Sequence, residues 1–323
     1  MSHHPLDAAD GVVVAELLRD DIVESLHHGI VAVVDAHGSR LLERGNADAI
    51  VFPRSTLKPL QAQAVLATGV DLTDVEIALT TASHCGSARH RESVAAFLDR
   101  HGLSSEALQC PIDWPLGLAE RAEMAGASPV GDRLAMNCSG KHAGFLAACV
   151  HKGWDLEGYL EPTHPLQQAI FATITDYAGE VPAFSSVDGC GAPLHGLSVA
   201  GLARGIAKVA AQANPQEKRF AQAVTSHAWA LDGTGRDNTL TIDTIGGIAK
   251  IGAEGLVVIG TPEGTAVAVK ILDGSMRATS LVALAALAHV DAISQEVCDD
   301  LSKAMATPVS GGNRVIGGLR VRL

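Results

Sequence analysis

The sequence contains two serine–lysine combinations with clear potential for nucleophilic chemistry. The first is Arg54-Ser55-Thr56-Leu57-Lys58, where the serine and the lysine lie three residues apart on one face of a helix predicted from Ser55 to Gly69. A serine hydroxyl is a weak nucleophile until a base takes its proton. Lysine can be that base when burial or nearby positive charge lowers its pKa. The motif alone is common, and a helix-capping serine followed by an exposed lysine is the alternative interpretation.

The second combination joins two distant segments. Ser83 lies in the small polar segment Thr80–Gly86, and Lys250 lies in an otherwise apolar strand segment, Gly247–Gly252. Taken separately, Ser83 could cap a helix and Lys250 could be a solvated edge charge. Lysine is scarce, however, with 8 residues against 16 arginines in the 24 basic residues. Lysines at 58, 141, 250 and 270 all have apolar or small neighbours, which suggests that a titratable nitrogen is needed there.

Two cysteine-containing segments form a candidate metal site. Cys138 and Lys141 lie in Met136–Gly144, and Cys190 lies in the glycine-flanked turn Asp188–Gly191. Two thiolates and one nitrogen could bind zinc and leave a fourth position open. No two of these ligands have the C-x₂-C spacing of common zinc sites, so two ordinary buried cysteines remain the alternative.

The candidate residues lie in a chain that is predicted to have strands at both ends and helices between them. The sequence predicts strands at 12–14, 29–34, 247–251, 256–259, 266–272 and 314–323, and helices at 88–101, 140–151, 165–177, 197–212, 216–231 and 276–290. We therefore expect an α/β (α+β) fold in which strands from both ends form one antiparallel sheet with flanking helices. Residues 1–53 and 236–323 would form the sheet lobe and 54–235 an inserted, mainly helical lobe of one catalytic unit. Ligand sites often lie at the boundary between two lobes of this kind.

Composition excludes several classes of function. The 323 residues carry a net charge of −12 and include only 11 aromatic residues, which argues against nucleic acid or an anionic membrane as the main partner. An apolar content of 47% excludes a disordered chain. No apolar run is long enough to span a membrane, and we expect no secretory signal. These features and six scattered cysteines favour a reduced, cytoplasmic protein.

Taken together, the motifs resemble the L-asparaginase II family, the thermolabile rhizobial type, which shares its fold with serine β-lactamases and glutaminases. The most specific match is Asn137-Cys138-Ser139-Gly140-Lys141-His142. The other matching stretches, in family order, are Val23–Ser25, Val33–Asp35, Arg54–Pro59, Ala82–His84, Asp188–Cys190 and Lys250–Gly255. A departure from the family pattern is Gly191-Ala192, where a larger polar residue often stands, so the shape of the substrate pocket is expected to differ.

The resemblance implies an L-asparagine amidohydrolase that releases ammonia and L-aspartate through a serine acyl-enzyme. It implies Ser55 as nucleophile with Lys58, and Ser83 with Lys250 as a second pair. It further implies a zinc ion held by Cys138, Lys141 and Cys190, and a homodimer. Further candidates for contact with the zwitterionic substrate are Arg54, His84 and Asp188.

Three other functions remain open at this point. A glutaminase would use the same machinery. A penicillin-binding or β-lactamase-type enzyme is disfavoured, because Ser83-His84-Cys85 is not Ser-x-Asn and Lys250-Ile251-Gly252 is not Lys-Thr-Gly. A non-enzymatic zinc-binding or amino-acid-binding protein would leave the paired serines and lysines unexplained.

Overall fold

A computed structural model describes residues 6–323 and is built around one antiparallel sheet. Its eight strands are β1 (Val12–Arg19), β2 (Ile22–Val34), β3 (Arg40–Arg44), β8 (Ile248–Gly252), β9 (Leu256–Gly260), β10 (Ala266–Ile271), β11 (Val309–Gly311) and β12 (Arg314–Val321). The order is β11-β12-β1-β2-β10-β9-β8, and β3 pairs with β2 beside this path. Two short strand pairs lie apart from it: β4 (Ile50–Val51) with β7 (Leu197–Ser198), and β5 (Ser185–Val187) with β6 (Pro193–His195).

The two ends of the chain meet in this sheet. Ala15 of β1 pairs with Val321 of β12, and Ala32 of β2 pairs with Ala268 of β10. All of these pairings are antiparallel. The predicted α/β class, with an antiparallel sheet built from N- and C-terminal strands, is therefore confirmed.

Eleven helices accompany the sheet within residues 6–323. They are α1 (Lys58–Ala67), α2 (Asp74–Thr80), α3 (Ala88–Arg100), α4 (Leu118–Ala127), α5 (Ser139–Lys152), α6 (Pro165–Ala178), α7 (Val199–Ala210), α8 (Pro215–Ser226), α9 (Asp237–Ile245), α10 (Thr279–His289) and α11 (Gln295–Met305). None of them is long and apolar enough to cross a membrane.

Both faces of the sheet centre are buried, which explains its nearly continuous apolar strands. On β2, Ile30, Ala32 and Val34 pack into a cluster that contains α7, whereas Val31 and Val33 face the main core. Helix α7 belongs by sequence to the predicted helical lobe, yet it covers one face of the sheet. The division into two lobes thus stays a prediction, and residues 1–5 of its first segment lie outside the described residues.

Four helices are absent from the sequence prediction: α2, α4, α9 and α11. Helix α2 is only seven residues long, too short for a clear apolar period, but its capping box is readable. Thr73 accepts a hydrogen bond from the Glu76 backbone N–H, and the Glu76 carboxylate accepts one from the Thr73 N–H. This helix ends next to Ser83, so the missed signal concerns the site directly.

Candidate active site

Ser55 and Lys58 lie where the chain enters α1. Residues Arg54–Leu57 form a 3₁₀ turn, and α1 begins at Lys58. The Ser55 side chain lines a pocket, and its hydroxyl has no hydrogen-bond partner within residues 6–323. Lys58 is 1% exposed, and its Nζ hydrogen-bonds to Ser83, in the segment that follows α2.

Ser83 is held at the meeting point of three segments. Its backbone N–H donates to the Leu231 carbonyl at 2.8 Å, and the next N–H, of His84, donates to the Asn137 carbonyl at 3.1 Å. Lys58 Nζ lies 2.8 Å from Ser83 Oγ, and Lys250 Nζ lies 3.0 Å from the same oxygen. Ser83 therefore joins the two lysines that were predicted to act with separate serines.

Three polar groups surround the Lys58 amine. Its Nζ contacts the Ala82 carbonyl, the Ser83 hydroxyl and the Cys138 sulfur. An ammonium group has three N–H donors and no acceptor, so these three contacts match a protonated lysine. Lys58 can thus be the donor to Ser83, whereas the sequence suggested it as the base of Ser55.

Lys250 has the properties of a neutral base. It lies on β8 with no solvent exposure, and its Nζ donates to the Ile251 carbonyl at 2.9 Å. Burial lowers its pKa, and the nearby Lys58 charge lowers it further, to about 7. A group with this pKa exchanges protons readily near neutral pH.

The end of strand β8 packs closely against the 3₁₀ turn that contains Ser55. A side chain at Gly252 would meet the Thr56 methyl group at 3.0 Å, so glycine permits this contact. On the opposite side, Gly140 and Gly144 of α5 let that helix pack directly on the end of α2. Lys58, which contacts both Ser83 and Cys138, lies where these segments meet.

The pocket has a volume of ≈ 560 Å³ and is lined by Ser55, Ser83 and Lys250 together with residues that were not predicted. The main unpredicted polar residues in its wall are Asn137, Asp232, Arg236, Asp237, Asn238 and Thr279. Asp232, Arg236, Asp237 and Asn238 share the glycine-punctuated, charged segment 232–238, which lies between the predicted helix 216–231 and the predicted strand 247–251.

The predicted metal ligands form a second cluster directly beside Lys58. Lys141 Nζ lies 3.0 Å from Cys190 Sγ, and the Cys138 thiol hydrogen-bonds to the same sulfur. That hydrogen bond, and next the Lys141 charge, lower the pKa of Cys190. Burial lowers the pKa of Lys141, but the charges of Cys190 and Cys138 outweigh burial and leave the pKa raised. Both shifts favour an ammonium on Lys141 and a thiolate on Cys190.

The donor set fits zinc. Two sulfurs and an amine are in contact, and the neighbouring His142 has a buried Nε2 without a hydrogen-bond partner. Within residues 6–323 no three His, Cys, Asp or Glu side chains group as metal ligands, so a site here would need the Lys141 amine as a ligand. The Lys141 amine can ligate zinc only after it loses its proton.

The three predicted substrate contacts lie outside this pocket wall. Arg54 donates from Nε to Asp188 Oδ1 at 2.8 Å, so these two residues bind each other. Arg54, whose φ is 51°, lines a neighbouring cavity of ≈ 570 Å³. His84 is fully buried, with its Nε2 2.8 Å from Ser139 Oγ.

Comparison with known proteins identifies a family for this chain. No curated protein sequence matches the chain. Among solved structures, a β-lactamase from Mycobacterium bovis is 14% identical, covering 81% of this chain and 94% of its own, with a TM-score of 0.47. The family model described as L-asparaginase II matches residues 15–321, nearly the whole chain. The protein therefore belongs to the L-asparaginase II family and is an asparaginase-type amidohydrolase.

Proposed function

We propose that the protein hydrolyses L-asparagine to L-aspartate and ammonia through a serine acyl-enzyme that uses two serine–lysine pairs. The observation that carries this proposal is the position of Ser83 Oγ, 2.8 Å from Lys58 Nζ and 3.0 Å from Lys250 Nζ, in a pocket that Ser55 also lines. Such an arrangement connects two titratable nitrogens through one hydroxyl. It supplies the acid and base that amide hydrolysis needs.

The two lysines share one proton through Ser83. In the proposed resting state Lys58 is the ammonium that donates to Ser83 Oγ, and Lys250 is the neutral amine, close enough to the same oxygen to take the Ser83 proton. Transfer of the Lys58 proton through Ser83 charges Lys250 and leaves Lys58 neutral. Lys58 can then accept a proton from Ser55, one helical turn before it. The Ser55–Lys58 contact must tighten when substrate binds, as catalytic hydrogen bonds often do.

Ser55 is the nucleophile because its hydroxyl is unengaged, whereas that of Ser83 lies between two lysines. Ser55 Oγ forms a bond to the carboxamide carbon while its proton passes to Lys58. The C–N bond then breaks, and the nitrogen takes a proton from Lys250 through Ser83 to leave as ammonia. Water then attacks the β-aspartyl ester and gives a proton to neutral Lys250 through Ser83. The ester C–O bond breaks as Ser55 Oγ takes the proton from Lys58, L-aspartate leaves, and a proton returns from Lys250 to Lys58 through Ser83.

We also propose zinc held by Cys138, Lys141 and Cys190. When bound, zinc supplies Lewis acidity and a fixed positive charge beside the pocket. The protein residues around it orient the thiolates and keep water away from them. Fresh protein purified without chelator should contain stoichiometric zinc by elemental analysis, and Cys138→Ser should lose it, whereas the buried but distant Cys298→Ser should not. Zinc-free wild-type protein would contradict this assignment.

A homodimer in a reducing cytoplasm completes the proposal. All six cysteines are free and buried, which suits such a compartment. Light scattering coupled to size exclusion should give twice the chain mass, and a monomer at micromolar concentration would contradict the dimer.

Ammonia release from L-asparagine and L-glutamine tests the proposed function. Wild-type protein should release ammonia from asparagine faster than from glutamine. Ser55→Ala and Lys58→Met should reduce the rate by about 10²–10⁴-fold while the protein stays folded. Mass spectrometry after an acid quench should place the β-aspartyl group on Ser55. Near-normal turnover by Ser55→Ala, or an adduct on Ser83, would overturn the assignment of the nucleophile.

A further inference from the structure

The charged segment 232–238 supplies the pocket with a cation that the hydrolytic steps do not use. Arg236 lines the pocket, and its side chain is 40% exposed. Its Nε donates to Asp232 Oδ1 at 2.5 Å. The two Nη groups donate to no acceptor within residues 6–323. The guanidinium is thus anchored through one edge and presents its remaining donors to the pocket.

The anchor itself is rigid. Asp232 is 5% exposed and also accepts from the Asn238 side-chain amide at 3.1 Å. Asn238 in turn accepts from the Ile251 backbone N–H at 2.8 Å, next to Lys250. This chain of hydrogen bonds fixes Arg236 relative to the Lys250 strand. A fixed guanidinium with free Nη donors is suited to binding a carboxylate through two parallel hydrogen bonds.

Asp237 offers an anion beside this cation. It is the first residue of α9, it lines the same pocket, and its Oδ2 accepts from Ser280 Oγ at 3.2 Å. Its other carboxylate oxygen has no hydrogen-bond partner within residues 6–323. Adjacent Arg236 and Asp237 therefore present opposite charges to one cavity.

We propose that Arg236 binds the α-carboxylate and Asp237 the α-ammonium group of the amino-acid substrate. This assignment rests on the proposed function and replaces Arg54 and Asp188, which satisfy each other. A zwitterion presents one group of each charge on a single carbon, as the wall of this pocket does with two consecutive residues. The amide end of the substrate is then directed to Ser55 and Ser83.

Substrates that lack one group separate the two roles. Succinamate is asparagine without the α-amino group, and β-alaninamide is asparagine without the α-carboxylate. Arg236→Gln should reduce kcat/KM about 10- to 100-fold for asparagine and succinamate, since a charge-assisted hydrogen bond is lost, but less than about twofold for β-alaninamide. Asp237→Asn, whose amide oxygen can keep the Ser280 bond, should show the opposite selectivity between the two analogues.

A surface variant and a conservative variant serve as controls for the Arg236 and Asp237 substitutions. Arg19→Gln removes a surface arginine that pairs with Glu24 and should leave all three kcat/KM values unchanged. Arg236→Lys should retain part of the preference for substrates with a carboxylate. Equal loss on all three substrates in the Arg236 and Asp237 variants, with wild-type melting temperatures, would overturn the inference while the hydrolytic function stands. A wild-type protein that hydrolyses no asparagine would instead overturn the proposed function.

Discussion

Lys250 and Lys141 are buried to the same degree, with 0% and 1% exposure, yet their surroundings move their pKa values in opposite directions. Burial lowers the pKa of both. Lys250 faces a neutral serine, a carbonyl and the cation Lys58, so its pKa falls to about 7. Lys141 faces two cysteine sulfurs, so its pKa rises instead.

Burial alone therefore does not decide whether a lysine in this protein is charged or neutral. Desolvation acts against the charged form in both places, and the sign of the neighbouring charges decides the outcome. Lys58 lies between the two regions, because its Nζ contacts both Ser83 and Cys138. The Ser83 region is therefore suited to proton transfer, and the Cys190 region to holding charge or metal.

The largest effect should come from Lys250→Met. This change removes the neutral base but leaves an apolar side chain of similar length in the strand. We expect kcat to fall by about 10²–10⁴-fold, the range for loss of a general base. Urea denaturation should show no loss of stability beyond about 1 kcal/mol, since a desolvated amine is replaced by an apolar group. A rate within threefold of wild type would remove the distinction between the two lysines.

The next effect should come from Lys141→Met in chelator-treated protein. The substitution leaves the Cys190 thiolate buried without its cation. Breaking a buried pair in this way costs about 3 kcal/mol of unfolding free energy, measured by urea denaturation at pH 8. The conservative Lys141→Arg should recover part of it. Unchanged stability in Lys141→Met would mean that Cys190 is not ionised in the folded protein.

The pH dependence of the wild-type rate should sharpen the comparison. Lys250 has a depressed pKa of about 7, so its neutral form grows as pH rises through that value. The rate should therefore fall about tenfold per pH unit well below pH 7 and level off above it. Stopped assays from pH 5 to 9, with a thermal melt at each pH, will check this. A rate that increases as pH falls below 7 would contradict Lys250 as the base.

The smallest effect should come from Lys270→Met. Lys270 is 7% exposed on β10 and its Nζ donates to the Glu254 carbonyl at 2.5 Å. Burial lowers its pKa too, but it lines the neighbouring cavity rather than the pocket of Ser55 and Ser83. Activity should change less than about twofold, because the substitution lies outside the proton-transfer network. A loss as large as that of Lys250→Met would show that any buried lysine here affects turnover.

Much of the fold could be predicted from the sequence because its signals are local. The apolar β-branched residues 29–34 predict a strand, and the predicted helix 165–177 matches α6 at Pro165–Ala178. The start of β2 at Ile22 was missed because residues 22–28 extend beyond the core and are largely exposed. Helix α9 was missed because its mixed polar sequence has no clear apolar period.

The sequence by itself determined which residue types were present for chemistry: serines and lysines in small-residue settings, and cysteines beside a lysine. Only the tertiary structure decided which of them meet. Lys58 lies three residues from Ser55, but its hydrogen bond goes to Ser83, 25 residues away, where Lys250 arrives from 167 residues away. Helical spacing determines proximity along one segment, whereas hydrogen bonding and desolvation depend on every segment that packs around a side chain.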